Sequence, residues 1–569
     1  MTDRIAHANS LWGLVCAEEF ARLGLRHVVI APGSRSTPLV VALASHPLLT
    51  AHVVSDERSA AFLALALGRA TRVPACFVTT SGSAMGHAYP AVLEAEADGV
   101  PLLCLSADRP PELRATGANQ ALDQVHLFGG HVRAFVDLPC PDPQVPIANL
   151  RATLDAAVHQ ARSGPVHLNA MFREPLGPAP AMLPPEFERP GPQTRWFAPR
   201  TLPNPEAQQA LAELVQRGRR GLLVVGALRD GQEQAAVRTL AARLGWPVFA
   251  DVTSGLRGGP CVVPLFDQLL LAPGLRAAEA PDAVIQVGGA VTSKRLLQWL
   301  GEARPEWAVV RPDAQRRDPV HGVTLRVLAD VAELAALEVE GQESSTRVAR
   351  LQGASQQVDS LVEAFLARQA GDCEMATART LARDLPAGHV LATGNSMPIR
   401  DLDMYAPQSE EIRLVFSQRG ASGIDGALAT ATGLALGRGA PLTMLLGDQS
   451  FLHDVGSLQL LAASQAPVTV VLADNRGGGI FQFLPVAGQT PVFERCFTAP
   501  HEADIASICA AFGVGYAAVD RDLGAALREA WQDGRPRVLH VRTDGKANEA
   551  QHRDLQGEIR THLARAWPE

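Results

Sequence analysis

Short apolar runs alternate along this chain with longer, Ala- and Leu-rich stretches whose apolar positions recur at helical spacing. Several of the runs are apolar at nearly every position, the pattern of strands covered on both faces. Strands of that kind separated by amphipathic helices predict βαβ units and parallel sheets. The pattern falls into three blocks. The first holds HVVIA (27–31), AHVV (51–54), ACFVT (75–79) and LLCLS (102–106), and closes with GPVHLNAMF (164–172). The second holds GLLVVG (221–226), PVFADV (247–252), AVIQVG (283–288) and WAVV (307–310). The third holds HVLAT, RLVFS, LTMLLG, VTVVLA and a terminal RVLHVR. Between the first two lies a proline-dense segment, 175–205, which can continue neither helices nor central strands and reads as a linker. A polar, partly helical stretch, EVEGQESSTRVARLQGASQQ (338–357), marks the second boundary. The expected fold is α/β, with three doubly wound parallel-sheet domains over residues 1–180, 200–345 and 365–569.

Composition narrows the class. At 569 residues the chain exceeds one hydrophobic core, and 47% hydrophobic with 19% charged residues excludes a disordered protein. A net charge of -8 leaves no basic footprint for nucleic acid or an anionic membrane surface, so an anionic ligand must be met by local basic residues. The first twenty residues lack a basic region followed by an apolar one, and no later apolar run is long enough to span a bilayer. A cytoplasmic location without membrane insertion is expected. Eight scattered cysteines with no C-x-x-C pair read as reduced, mostly buried small hydrophobes.

The segment GDQSFLHDVGSLQLLAASQAPVTVVLADN (447–475) carries candidate chemistry. LTMLLG ends at Asp448, and VTVVLA leads to Asp474 and Asn475, with a helix between them. A right-handed crossover makes the two strands parallel neighbours and brings Asp448 and Asn475 to the carboxyl edge of the sheet, where open α/β sheets bind ligands. A carboxylate, an amide oxygen and a backbone carbonyl in the following RGGGIF are hard donors suited to Mg²⁺, which completes its octahedron with water and phosphate oxygens. The competing reading gives Asp448 a helix cap and Asn475 a turn.

Gly-Asp followed 27 positions later by Asn resembles the cofactor signature of the thiamine diphosphate enzymes, with GDQ and ADN where many members have GDG and NN. The resemblance implies thiamine diphosphate as cofactor, with Mg²⁺ (or Mn²⁺) held by Asp448, Asn475 and the main-chain carbonyl of Gly477. It also implies cofactor contacts from Gly447, Ile424 in SGIDG and Ile480 in GGGIF. In that family a glutamate of the first domain favours the imino form of the aminopyrimidine ring, and Glu57 in SDERSAAF, after a strand and opening a helix, matches it. On its own Glu57 reads equally as an acid at a helix N-terminus.

APGSRSTPL, SDER, SADRPPELR, GANQ, TSKRL, GNSMPIRD, SQRGASGIDG and GGGIF, in that order through all three blocks, resemble the menaquinone-pathway branch of these enzymes. TSGSA stands where TSGTA is usual. The resemblance implies decarboxylation of 2-oxoglutarate and 1,4-addition of the succinyl-semialdehyde carbanion to isochorismate. It implies a substrate site lined by Ser34, Arg35, Arg109, Gln120, Lys294, Arg295, Ser396, Arg400 and Arg419, with Ile480 and Phe481 as an apolar wall beside the departing carboxylate. Arginine suits carboxylates because its planar fork binds them bidentately. Lys294 and Arg295 fall in the first turn of a predicted helix, where cations oppose the dipole unless an anion offsets them. A homodimer or dimer of dimers is implied, because in this family the glutamate serves a cofactor held by another subunit. The alternatives are an acetolactate-synthase-like enzyme or 2-oxoacid decarboxylase, a non-catalytic scaffold of the same fold, and a Rossmann dinucleotide binder. No G-x-G-x-x-G follows a suitable strand, and the charged motifs argue against small uncharged acceptors.

Overall fold

The apolar runs become the strands of three sheets in which every pairing is parallel, flanked by the connecting helices. The computed structural model describes residues 2–568 except 338, 340–344, 370–372, 412, 465 and 521. The start of the polar stretch at the second boundary (338 and 340–344) thus lies outside the described residues, and from Ser345 to Leu366 the chain is helical.

The first sheet contains β1 (His27–Ile30), β2 (Thr50–Val53), β3 (Ala75–Thr79), β4 (Leu102–Asp108), β5 (Ala134–Leu138) and β6 (Pro165–Met171). The second contains β7 (Gly221–Val225), β8 (Val248–Ala250), β9 (Ala283–Val287), β10 (Glu306–Arg311) and β11 (Leu325–Leu328). The third contains β12 (Val390–Thr393), β13 (Val415–Ser417), β14 (Leu442–Gly447), β15 (Val468–Asp474), β16 (Gly515–Val519) and β17 (Arg537–Arg542). The first sheet runs β2-β1-β3-β4-β6-β5 and the third β13-β12-β14-β15-β17-β16, the same topology twice. The second runs β11-β10-β9-β7-β8, a different doubly wound order.

Central strands such as β3, β4, β6, β7, β9 and β15 are buried at every residue, which is why they read as unbroken apolar runs. Three strands escaped the sequence pattern, β5, β11 and β16. All three are sheet edges with partly exposed residues, so no continuous apolar run is required of them. The helix Ser345–Leu366 packs on the second sheet together with the C-terminal helix Gly545–Ala566, through Leu351, Val358 and Val362 on one and Leu555, Ile559 and Leu563 on the other.

The proline-dense segment is strapped to the first domain. Phe187 is buried in that core, and the guanidinium groups of Arg22 and Arg151 stack on its ring at 5.0 and 4.3 Å. Arg22 also donates to the carbonyls of Phe187 (2.7 Å) and Gly191 (3.0 Å). Two helices join the first and third domains. Glu57–Thr71 and Ala427–Arg438 pack at close range, and the hydroxyls of Ser59 and of Ser457, in the third domain, meet at 2.7 Å. All eight cysteines are free, and among the described residues no helix is long and apolar enough to cross a membrane.

Candidate active site

The β14–β15 pairing sets Gly447 opposite Ala473, so Asp448 and Asp474 emerge side by side at the carboxyl edge of the third sheet. Asp448 is 2% exposed and opens a short helix to His453. Its Oδ2 accepts the Gly477 N–H at 2.7 Å, and its Oδ1 accepts the Gln449 N–H at 2.6 Å. His501 Nε2 approaches Asp448 Oδ2 at 3.2 Å and Asp474 Oδ1 at 3.8 Å. Burial and the adjacent Asp474 carboxylate push Asp448 above the usual carboxylate range. Asp474, with His540 at 2.8 Å and the Arg476 N–H at 2.9 Å, is the member of the pair that stays ionised. A cation at this edge would relieve that repulsion.

Asn475 completes the donor set. Its Nδ2 donates to Glu374 Oε1 at 2.8 Å, while its Oδ1 is buried with no hydrogen-bond partner. Leaving such an acceptor unpaired costs about 1–3 kcal/mol, which a bound cation would offset. The Gly477 carbonyl accepts the Gly479 N–H at 2.9 Å and keeps a second lone pair. A buried carboxylate, an orphaned amide oxygen and a main-chain carbonyl fit a small hard cation such as Mg²⁺. Gly447 ends β14 half-buried, and Ile480 and Phe481 lie in a 3₁₀ turn, Gly479–Phe483, shortly after Gly477. Phe481 meets Phe497 edge-on at 5.8 Å.

Glu57 is the first residue of its helix, capped by Asp56, whose carboxylate accepts the Ser59 N–H at 3.0 Å. It makes no hydrogen bond to Asp448, Asn475 or Gly477 within the chain. Its neighbour Arg58 donates to the His453 carbonyl at 2.7 Å, which gives His453 a structural part. Ile424 is 36% exposed, a large apolar side chain left open at the start of the helix Ala427–Arg438.

The proposed substrate residues gather at three sheet edges. Ser34, Arg35, Arg109 and Gln120 share that of the first sheet. Arg35 is buried, donates to the Phe172 carbonyl (3.0 Å) and to Glu174 (2.9 Å), and is held below the usual guanidinium range by burial and by Arg109. Arg109 clamps the Asn119 carbonyl, and Gln120, at φ 57°, lies against Gly82. Ser396, Arg400 and Arg419 share the third edge. Ser396 has φ 70°, a left-handed strain for a serine, and its carbonyl receives the Arg400 guanidinium. Burial and Arg419 lower the Arg400 pKa, so two cations face each other there. Arg419 donates to Asn395 (3.1 Å), and Glu94 of the first domain accepts the Gly420 and Ala421 N–H groups that follow it. At the second edge Lys294 is exposed, but Arg295 is committed to the Asp267 carboxylate and carbonyl.

Sequence reasoning missed Asp474, His501 and Glu374. Asp474 was visible beside Asn475, but His501 reaches the site from a loop and Glu374 from the start of a distant helix, with no local motif. Glu374 is buried, and burial and Asp401 push it up to about 7.

Residues 13–127 match the family description "Thiamine pyrophosphate enzyme, N-terminal TPP binding domain", 192–392 match "Middle domain of thiamine pyrophosphate", and 402–541 match "Thiamine pyrophosphate enzyme, C-terminal TPP binding domain". Proteins named 2-succinyl-5-enolpyruvyl-6-hydroxy-3-cyclohexene-1-carboxylate synthase are similar over nearly the whole chain. That of Rubrobacter xylanophilus is 43% identical over 98% of this chain and 99% of its own. That of Salinibacter ruber is 42% identical over 96% of each, and that of Chlorobaculum tepidum 38% identical over 97% of each.

Proposed function

Because the chain belongs to the thiamine diphosphate enzymes, and within them to the 2-succinyl-5-enolpyruvyl-6-hydroxy-3-cyclohexene-1-carboxylate synthases of menaquinone biosynthesis, we propose that it decarboxylates 2-oxoglutarate and adds the four-carbon remainder to isochorismate with Mg²⁺ as its cation. The observation that carries the cofactor reading is the buried Asp448 beside the unpaired Asn475 amide oxygen and the Gly477 carbonyl. When bound, thiamine diphosphate would supply an acidic carbon that, once deprotonated, can add to a 2-oxoacid and hold the electron pair left by decarboxylation. Asp448, Asn475 and Gly477 hold the cation against the diphosphate, and Gly447 lets the chain approach it. Glu57 holds a proton toward the pyrimidine ring, and Ile424 supports the cofactor from its apolar side. Ile480 and Phe481 keep water from the departing carboxylate, whose charge disperses as it leaves.

Both substrates are carboxylates, and this acidic chain meets them with local cations. Arg35 and Arg109 on the first edge, Arg400 and Arg419 on the third, and Lys294 on the second supply the charge, with Ser34, Gln120 and Ser396 as neutral donors. Arg295 contributes through the Asp267 pair that fixes its orientation. A homodimer or dimer of dimers is part of this reading, with Glu57 of the partner subunit serving the cofactor held by the third domain of each chain.

The test follows CO₂ release from 2-oxoglutarate by the purified protein with thiamine diphosphate and Mg²⁺, with and without isochorismate. Isochorismate-dependent adduct formation that collapses in Glu57→Gln is the expected result. Cofactor binding with turnover of pyruvate alone would overturn the substrate assignment. Activity recovered on mixing inactive Glu57→Gln and Asp448→Ala proteins would establish the shared site, and its absence would remove it.

A further inference from the structure

The Asn475 side chain poses a question that the donor set leaves open. An amide has an oxygen and a nitrogen of nearly the same shape, and only the oxygen can bind a cation. Rotated by half a turn, Asn475 would aim two N–H donors at the cation position. Something must hold the amide the right way round.

Three segments converge on that task. Asn475 follows β15, Thr543 follows β17, and Glu374 begins the helix Glu374–Asp384. Glu374 Oε1 accepts both the Asn475 Nδ2 hydrogen bond (2.8 Å) and the Thr543 hydroxyl (3.0 Å). Glu374 is 4% exposed, so water does not substitute for these partners. An oxygen that already accepts from two donors, Asn475 Nδ2 and the Thr543 hydroxyl, selects the nitrogen of the amide and leaves Oδ1 free. Gly479 packs against the same amide, which fills the space a side chain there would need: a built Cβ would lie 2.4 Å from Nδ2.

We propose that Glu374 is a positioning residue for the cation site, fixing the Asn475 amide so that its oxygen faces the cation, with Thr543 steadying Glu374. This rests on the reading of Asp448, Asn475 and Gly477 as cation ligands. Outer-shell partners that orient a ligand typically contribute about 10- to 100-fold in metal affinity.

The test titrates Mg²⁺ into the full-length apoprotein at saturating thiamine diphosphate, with calorimetry as the readout and circular dichroism to verify folding. Glu374→Ala should bind Mg²⁺ about 10- to 100-fold more weakly than wild type. Adding Asn475→Asp to that variant makes both side-chain termini oxygen, so orientation no longer matters and affinity should recover. Asn475→Asp alone sets a second carboxylate against Glu374 and should bind more weakly than the double variant. A merely structural role for Glu374 predicts no such rescue. Unchanged affinity in Glu374→Ala, or no recovery in the double variant, overturns the inference. Failure of the wild-type protein to bind Mg²⁺ would overturn the ligand assignment instead.

Discussion

Replacing Gly433 by alanine inserts one methyl group between the helix that begins at Glu57 and the helix Ala427–Arg438. A Cβ built on Gly433 would lie 2.6 Å from Ala66 Cβ, 2.8 Å from the Leu63 carbonyl oxygen and 3.2 Å from Leu63 Cδ1. Carbon atoms rest at about 3.5–4.0 Å, so the helices must part by roughly 1 Å. One of the obstructing atoms is backbone, which cannot rotate away. The neighbouring contacts are as tight, since a Cβ at Gly437 would meet Ala66's successor on that face, Ala70, at 2.7 Å. Overpacking of this kind costs about 1–3 kcal/mol, against a gain of about 1 kcal/mol for alanine over glycine within a helix. Gly353, in the helix Ser345–Leu366, has nothing within 4 Å of its built Cβ and isolates the propensity gain. Thermal denaturation should therefore place Gly353→Ala at or above wild type, and Gly433→Ala below Gly353→Ala by about 1–3 kcal/mol. Adding Ala66→Gly to Gly433→Ala should recover part of the loss. Because Glu57 opens the displaced helix, turnover should fall as well. If Gly433→Ala were as stable as Gly353→Ala, the close packing inferred for these helices would be wrong.

Two further outcomes follow from buried carboxylates away from the cation site. Asp454 accepts the Leu428 and Ala429 N–H groups (2.8 and 3.2 Å) and the Ser457 hydroxyl (2.8 Å), so Asp454→Ala leaves buried donors unpaired; a loss of about 2–4 kcal/mol is expected by thermal denaturation, with Asp454→Asn milder. A loss below that of Asp454→Asn would refute the capping role. Asp155, which accepts the Thr194 N–H of the strap, is pushed up to about 7 by burial and by Glu19, from 3.8 in an unperturbed carboxyl. Between about pH 4 and 7 the folded state thus keeps a proton that the unfolded chain has released. Its contribution to stability is greatest below that window, falls by at most about 1.4 kcal/mol per pH unit as pH rises through it, and levels off above. Asp155→Asn, which cannot ionise, should remove that slope, so its melting temperature should gain on wild type from pH 5 to 8. A difference independent of pH would refute the retained proton.

The sequence by itself determined the three-block α/β plan, because strands buried on both faces must be apolar at nearly every residue and helices between them must be amphipathic. It also fixed Asp448, Asn475 and Gly477 as one constellation, since a parallel crossover joins their strand ends whatever the surroundings. The place of Glu57, after a strand and at a helix start, was legible too. The edge strands β5, β11 and β16 were not, since an edge tolerates polar residues and leaves no periodic signature. Only the tertiary structure decided which groups face which. It brought His501 to Asp448 across 53 positions and Glu374 to Asn475 across 101, and it tied Arg295 to Asp267. It also turned the proline-dense linker into a strap held by Arg22 and Arg151. Those pairings depend on distances and on the absence of water in the folded interior, and neither quantity is written in the local order of residues.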